Sequence, residues 1–294
     1  MSTLIQQIIN GLSLGSVYAL IAVGYSLVYS ILLFSNFAHG GFLVVGGYAC
    51  YFLLTQWGFN TAVSMAGALA ASGLTAVLTE RLAYKPIRER TSITLYLLIA
   101  SMGVNIVIEN LFVITVGGRI RALPQSTFPT GVFELGGGVT VSASDILSLV
   151  VAAIFLVLLQ LFLTRTRWGL AIRAAACDLR TAGLMGVNVT FLIGLVFFVA
   201  GLLAAVGGIF LSVRYSLYPQ LGSITTKAFI AAVIGGLGSL PGAVLGSLIL
   251  GLAEMLTAGF VSSQMRDLVV YSLLVLILLV RPAGFFGRTA SEKI

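Results

Sequence analysis

Side chains that could carry out chemistry are few and far apart in this sequence. There is one histidine, His39, and only 9% of the residues are charged. The two cysteines, Cys50 and Cys177, have no partner at a metal-ligand spacing. No GxxxxGK[ST] nucleotide-binding loop occurs, because no lysine follows a glycine. The sequence therefore predicts no catalytic constellation, no metal site and no bound cofactor.

Ionisable side chains within apolar stretches are limited to Glu109, Glu254 and, at the edge of one stretch, Lys227. A charge in hydrocarbon is unfavourable and usually marks function, although a packing pair is the alternative. Glu109 and Lys227 are expected at a similar depth near the outer face, which predicts an ion pair between them. Asn105, one helical turn before Glu109, is expected to add a hydrogen bond. Alternatively, Lys227 reaches the headgroups and Glu109 is protonated beside Asn105.

A polar insert, "RTRWGLAIRAAACDLRTAGLMGVN", occupies residues 165–188 and carries four arginines and one aspartate. Leucine, isoleucine and methionine residues alternate there with alanines and charges, which indicates one or two short helices. Helices this short are not stable alone and need the surface of a partner. The insert is therefore predicted to dock on a soluble partner, or alternatively to lie on anionic lipid headgroups.

The elements that must position these residues are membrane helices. Hydrophobic residues make up 59% of the 294 residues and the mean hydropathy is +1.10, whereas a soluble protein has about 25% charged residues. The chain has room for about eight spans of about 20 residues each. We expect an all-α polytopic membrane protein with one transmembrane domain, residues 1–294. GxxxG spacings such as Gly11–Gly15 favour close helix packing.

Basic residues fall into three clusters, and the net charge of +7 is explained by them rather than by nucleic-acid binding. Cytoplasmic loops are enriched in lysine and arginine, so all three clusters are predicted to be cytoplasmic. The loop 117–144 and the N-terminus are then outside. Three apolar segments separate the second cluster from the third, so one of them must enter and return. The clusters are Arg81, Lys85, Arg88 and Arg90; Arg165, Arg167, Arg173 and Arg180; and Arg281, Arg288 and Lys293.

The segment that enters and returns is predicted to be the one interrupted by "GGLGSLPG", residues 235–242. Gly235, Gly236, Gly238 and Pro241 do not favour a continuous helix, whereas Ser239 can cap a second one. Two half-helices are expected. Broken helices in a membrane often line a transport path, and the alternative is a packing kink.

A second glycine-rich stretch begins at His39 in "NFAHGG" and adds Asn36 and His39 to the candidate path residues. A hydrogen-bonded structural role is the alternative for a lone histidine at a helix end. In the outer loop, "VFELGGGVTV" alternates apolar and polar residues about a glycine turn, which predicts a small hairpin. That hairpin serves either as a docking surface or as a cap on the bundle.

Three stretches carry a resemblance to a known family: "NGLSLGSVYALIAVGYSLVYSILLFSNFAHG", "IRAAACDLRTAGLMGVN" and "KAFIAAVIGGLGSLPGAVLGSLILGLAE". They resemble the signature stretches of branched-chain amino acid ABC permeases of the LivH type, in the same order and spacing. The resemblance implies a multi-pass permease of the bacterial inner membrane. It also implies a second related permease, most simply in a heterodimer, two ATPase subunits and a periplasmic or surface-tethered binding protein.

By the same resemblance, the insert is the segment that couples the permease to its ATPases. The general ABC importer loop has an acidic residue before two alanines and a glycine four positions after them, which this chain lacks. The role therefore depends on the LivH-type pattern, which implies coupling by Arg173, Asp178, Arg180, Leu184, Gly186 and Asn188. Related permeases carry urea or amides, which is the alternative substrate class, and an ion-coupled secondary transporter is a further alternative.

Overall fold

The computed structural model describes residues 2–91, 93–124, 128–129, 131–136 and 138–287. Arg288 and Lys293 of the third basic cluster lie outside the described residues. The helices are α1 (Ser2–Leu32), α2 (His39–Thr55), α3 (Thr61–Thr79), α4 (Lys85–Arg90), α5 (Thr94–Val116), α6 (Ala143–Arg165), α7 (Arg167–Cys177), α8 (Leu179–Leu184), α9 (Val189–Tyr215), α10 (Thr225–Gly235), α11 (Leu240–Phe260) and α12 (Arg266–Val280). Strands β1 (Val132–Gly136) and β2 (Val139–Ser142) form the antiparallel hairpin predicted in the outer loop.

Seven helices of the described part are long and apolar enough to cross a membrane, which confirms the all-α polytopic fold. The sequence predicts about eight spans, and the difference arises at α2. Helix α2 is apolar but has only 17 residues. The segment at residues 226–256 is divided unequally, because α10 has 11 residues and α11 has 21.

Helix α1 is the central element, and it packs antiparallel against α11 through glycines. A Cβ atom at Gly11 would lie 2.9 Å from Leu252 Cα, and one at Gly15 would lie 2.9 Å from the Ser247 carbonyl oxygen. The predicted GxxxG contact is therefore real, since the two backbones touch where no side chain intervenes. Helix α9 packs on the other side of α1, with Gly207 against Ile21.

Two ends of the bundle can be distinguished by which connections meet there. At one end, the Tyr84 hydroxyl donates to Asn36 Oδ1 (2.7 Å), the Tyr84 ring lies 5.5 Å from Phe197, and Trp168 lies 4.8 Å from Phe191. The first two basic clusters thus gather at this end, called the basic end below. The β-hairpin and the N-terminus lie at the opposite end, where the Thr140 amide donates to Gln6 Oε1.

The predicted break lies between α10 and α11, and it turns the chain through a sharp antiparallel hairpin. Gly236 (φ +103°) and Gly238 (φ +84°) adopt backbone conformations that glycine tolerates best. Ser239 caps α11 by accepting from the Gly242 amide (3.2 Å), as predicted. The free carbonyls that end α10 are satisfied by the chain after α12, because Phe285 N–H donates to Ile234 and Phe286 N–H to Gly235, both at 2.9 Å.

The break differs from two equal half-helices. At 1.5 Å per residue, α11 extends about 31 Å and can span alone, whereas α10 extends only about 16 Å. A 3₁₀-helix, Pro219–Ile224, leads into α10. Only the first arm is therefore a half-helix, and its turn lies beside Ser30, near the C-terminal end of α1.

Candidate functional site

The start of α2 brings two of the predicted path residues into the core. His39 is fully buried, and its ring lies 4.6 Å from the Tyr25 ring. The ring fits only because residue 24 is glycine, since a Cβ atom there would lie 2.7 Å from His39 Cε1. Neither ring nitrogen of His39 makes a hydrogen bond of standard geometry among the described residues, although the backbone of Ile21 lies near the ring, and Asn36 Nδ2 has no partner there either. Buried polar atoms without partners are rare and need a reason.

Helix α5 places Asn105 next to this cluster. Its Oδ1 atom would lie 3.1 Å from a Cβ at Gly40, and no donor of the described residues reaches it. Its Nδ2 atom donates to Glu109 Oε1 (2.9 Å), which confirms the expected hydrogen bond along the helix. Gly40 also contacts the Gly222 carbonyl oxygen. The structure therefore assembles Asn36, His39 and Asn105 around the N-terminus of α2.

Lys227 does not pair with Glu109, so that expectation is wrong. Its Nζ lies 2.9 Å from Glu254 Oε1 and 2.7 Å from Asp267 Oδ1. The reason is the hairpin: α11 runs antiparallel to α10 and brings Glu254 back beside Lys227. Glu254 is 1% exposed and also accepts from the Tyr18 hydroxyl (3.1 Å). The cation thus links α10 to α11 and α12.

The coupling residues predicted from the sequence mostly shape the insert. Asp178 accepts from the amides of Arg180 (2.9 Å) and Thr181 (3.1 Å) and so caps α8, and Asn188 caps α9 by accepting from the Phe191 amide (3.0 Å). Gly186 has φ +91°. Arg173 donates to the Leu163 carbonyl oxygen (2.6 Å), which ties α7 to the end of α6. Each holds a turn or a helix end in place.

The Thr181 hydroxyl, which donates to the Asp178 carboxylate, lowers the pKa of Asp178 below its usual range, and the backbone amide of Thr181 adds to the effect. The cap is therefore present across the neutral range.

Leu184 and Met185 end α8 and are each 82% exposed. These two adjacent apolar side chains lie at the surface of the described residues. The insert is thus a short, internally braced helical unit with an apolar tip.

Sequence comparison settles the family. Residues 7–278 match the model of a family described as branched-chain amino acid transport system / permease component. The chain belongs to this permease family. With seven long apolar helices among its described residues, the permease is a multi-pass protein of the plasma membrane.

Similar permeases cover almost the whole chain. The permease is 39% identical over 306 residues to the high-affinity branched-chain amino acid transport system permease protein BraD of Pseudomonas aeruginosa, covering 99% of this chain and 98% of that protein. It is also 39% identical over 304 residues to LivH of Escherichia coli K12, with coverage of 99% and 97%. A probable LivH of Methanocaldococcus jannaschii is 27% identical over 281 residues, with coverage of 91% and 88%.

Several charged contacts of this permease were not predicted from the sequence. Glu80 is fully buried in a π-helical turn, Glu80–Tyr84, and pairs with Arg88 (3.0 Å). Asp145 pairs with Arg214 (3.2 Å) at the opposite end. Spacing along the sequence gives no signal for ion pairs that join distant helices. Glu254 is recognisable from the sequence as a carboxylate in an apolar stretch, but its partner Lys227 is not. The described residues contain no group of three metal-ligating side chains.

Proposed function

We propose that this chain is the permease subunit of an ABC importer that carries branched-chain amino acids, and that separate ATPase subunits hydrolyse the ATP. Near-full-length identity of 39% to permeases named for that substrate class carries the proposal. Residues 1–294 form one permease domain, which pairs with a second related permease. Two ATPase subunits bind at the basic end, and a substrate-binding protein docks at the opposite end, where the β-hairpin lies. This chain itself has no catalytic role.

Energy transfer is assigned to the insert 165–188. The apolar tip of Leu184 and Met185 supplies the contact, while the caps at Asp178 and Asn188 hold it at a fixed angle to the bundle. Short helices that were not attached to the bundle could not transmit a movement of the ATPases to the permease. In this chain, α7 is attached to the end of α6 because Arg173 donates to the Leu163 carbonyl oxygen. Arg180, which is exposed beside the tip, adds a charge to this surface.

The transport path is assigned to the side of the bundle where α5 and the 3₁₀-helix meet α2. Asn105 and Glu109 are half-buried there, and Gln220 and Ser223 of the 3₁₀-helix are exposed. Polar side chains in a membrane-spanning bundle are unfavourable against lipid and are favoured against a partner or water. The unpartnered polar atoms of Asn36, His39 and Asn105 lie directly behind this side, and the hairpin at Gly235–Pro241 holds α10 beside them.

A transport assay in the native host tests the proposal. Deleting the gene should abolish uptake of radiolabelled leucine, isoleucine and valine, and the wild-type gene should restore it. Leu184→Asn/Met185→Asn should restore a permease that inserts but does not transport. Leu33→Asn is the matched control, because Leu33 is a 66% exposed leucine outside the insert. Unchanged leucine uptake in the deletion strain, with loss of urea or amide uptake instead, would contradict the substrate assignment.

A further inference from the structure

A groove lies between α3 and α5, with the last turns of α2 behind it, at the end of the bundle opposite the basic end. Its volume is about 650 Å³, which is within the range of ligand-binding pockets. Helices α3 and α5 both pack against α2. The walls include Phe52 and Leu53 of α2, Ala71 of α3 and Val116 of α5. Each of these side chains is partly exposed, so the walls offer apolar surface to a ligand.

Arg121 supplies a positive charge to this groove, and no carboxylate is found among the described residues that line it. The backbone of Arg121 is fixed by two hydrogen bonds with Leu217, at 2.8 and 2.7 Å. Its guanidinium lies 5.3 Å from the centroid of the Tyr51 ring, and Nη2 donates to the Val116 carbonyl oxygen (3.0 Å). Arg121 is half-buried and forms no ion pair with a described carboxylate. Because a half-buried cation without a counter-charge is unfavourable, an anion is expected beside it.

The apolar part of the groove lies at the depth of the hydrocarbon of one leaflet. Trp57 and Phe59, which precede α3, are 68% and 46% exposed, and exposed aromatic side chains at helix ends are typical of the membrane–water interface. From Thr61, the first residue of α3, Ala71 lies about 15 Å along the helix. This is about half the thickness of the hydrocarbon core. The groove therefore extends from the interface as far as an acyl chain of one leaflet does.

We propose that this groove binds a phospholipid with a net negative headgroup, such as phosphatidylglycerol, from the leaflet at this end of the bundle. The phosphate contacts the Arg121 guanidinium, and one acyl chain lies along Phe52, Leu53 and Ala71. Gln56 and Thr115, which are exposed lining residues, provide hydrogen-bonding groups for the rest of the headgroup. Phosphatidylethanolamine also carries an ammonium group, for which the described lining offers no carboxylate. The charge of the groove thus favours the anionic lipid.

Quenching of Trp57 fluorescence by brominated lipid tests the proposal. Trp57 lines the groove, and the sequence contains one other tryptophan, Trp168, which is replaced by phenylalanine. The purified full-length chain in a neutral detergent is titrated with phosphatidylglycerol or phosphatidylethanolamine that carry the same brominated acyl chains. Half-maximal quenching should need about tenfold less phosphatidylglycerol, because a charge-assisted hydrogen bond to the phosphate is formed without a competing ammonium group.

Variants separate the headgroup contact from the acyl-chain contact. Arg121→Gln should abolish the preference for phosphatidylglycerol. Arg119→Gln is the matched control, because Arg119 is an exposed arginine of the same loop, and it should keep the preference. Ala71→Phe fills the apolar part without changing Arg121 and should abolish tight quenching, so the test does not depend on the folding of Arg121→Gln. An equal preference for phosphatidylglycerol in the wild type and Arg121→Gln would overturn the proposal.

Two further measurements distinguish the lipid from other occupants. Water-soluble glycerol 3-phosphate carries the charge without the acyl chains, and displacement of the brominated lipid by it would overturn the assignment in favour of a site for free phosphate. Lipid is also extracted from the chain purified together with its native partner subunits. The wild type should retain about one anionic phospholipid more per chain than Arg121→Gln, since the groove has the volume of a single site. Equal amounts would overturn the proposal, as expected where a partner protein covers the groove.

Discussion

Lys227 Nζ lies between two carboxylates, 2.9 Å from Glu254 Oε1 and 2.7 Å from Asp267 Oδ1. The two partners are not equivalent, because the Glu254 side chain is 1% exposed and that of Asp267 is 66% exposed. Removing one partner of a buried ion pair leaves an uncompensated charge, whereas an exposed pair contributes little. The short arm α10 is thus held to α11 mainly through Glu254.

We expect Lys227→Met and Glu254→Gln each to destabilise the permease by about 3–5 kcal/mol. Asp267→Asn should change stability by about 0–1 kcal/mol. The measurement is thermal unfolding of the purified protein. In the double variant Lys227→Met/Glu254→Gln, neither buried charge remains, so much of the stability should return. The pairing would be contradicted if Lys227→Met restored the stability lost in Glu109→Gln and did not restore the stability lost in Glu254→Gln.

The sequence predicted local features well and distant pairings poorly. The break at Gly235–Pro241 and the cap at Ser239 follow from local backbone rules, and both are present. The partner of Lys227 depends on how the chain folds back after the break, which no spacing along the chain reveals. Helical depth alone suggested Glu109, but α5 lies against α2 and the 3₁₀-helix rather than beside Lys227.

The insert 165–188 shows that the sequence predicts the position of residues better than their contacts. Its position, its short helices and the glycine at 186 were predictable, because charge and turn residues interrupt an apolar chain. The sequence does not predict which residues of the insert make internal contacts and which are exposed. Arg173, Asp178 and Asn188 make contacts within the permease. Leu184 and Met185 are exposed. Met185 is not among the coupling residues that the resemblance implies, and only the structure shows that it is as exposed as Leu184.

Asp178 should show an unusually acidic titration linked to the order of α8. Its lowered pKa means that the cap is fully formed above the ordinary aspartate value of about 3.9 and is lost as the pH falls through the lower folded-state value. A fluorophore on Cys177, which is exposed next to Asp178, should report a transition with a midpoint below about 3.9. Asp178→Asn should abolish the transition and keep the helix. A midpoint at or above 3.9 would contradict the cap.

The α1–α11 contact should be sensitive to a single methyl group. A Cβ at Gly15 would lie 2.9 Å from the Ser247 carbonyl oxygen, so Gly15→Ala must separate the two helices. We expect this variant to lose about 1–3 kcal/mol of stability, as is typical of overpacking. Gly103→Ala is the control, because nothing lies within 4 Å of its Cβ position, and it should be neutral or gain up to about 1 kcal/mol from helix propensity. The measurement is thermal unfolding of Gly15→Ala and Gly103→Ala. Equal stability of the two variants would contradict the close contact between α1 and α11.

The orientation of the permease in the membrane can be read from its native thiols. Cys177 is exposed in the insert at the basic end, whereas Cys50 is buried. Since basic loops are cytoplasmic, a membrane-impermeant maleimide should not label Cys177 in intact cells but should label it in inside-out vesicles. In a variant with Cys50 and Cys177 both replaced by serine, Ser263→Cys should show the reverse pattern, because Ser263 is exposed between α11 and α12 at the opposite end. The variant without Ser263→Cys is the control for background labelling. Labelling of Cys177 from outside intact cells would reverse the orientation and rule out contact between the insert and a cytoplasmic ATPase.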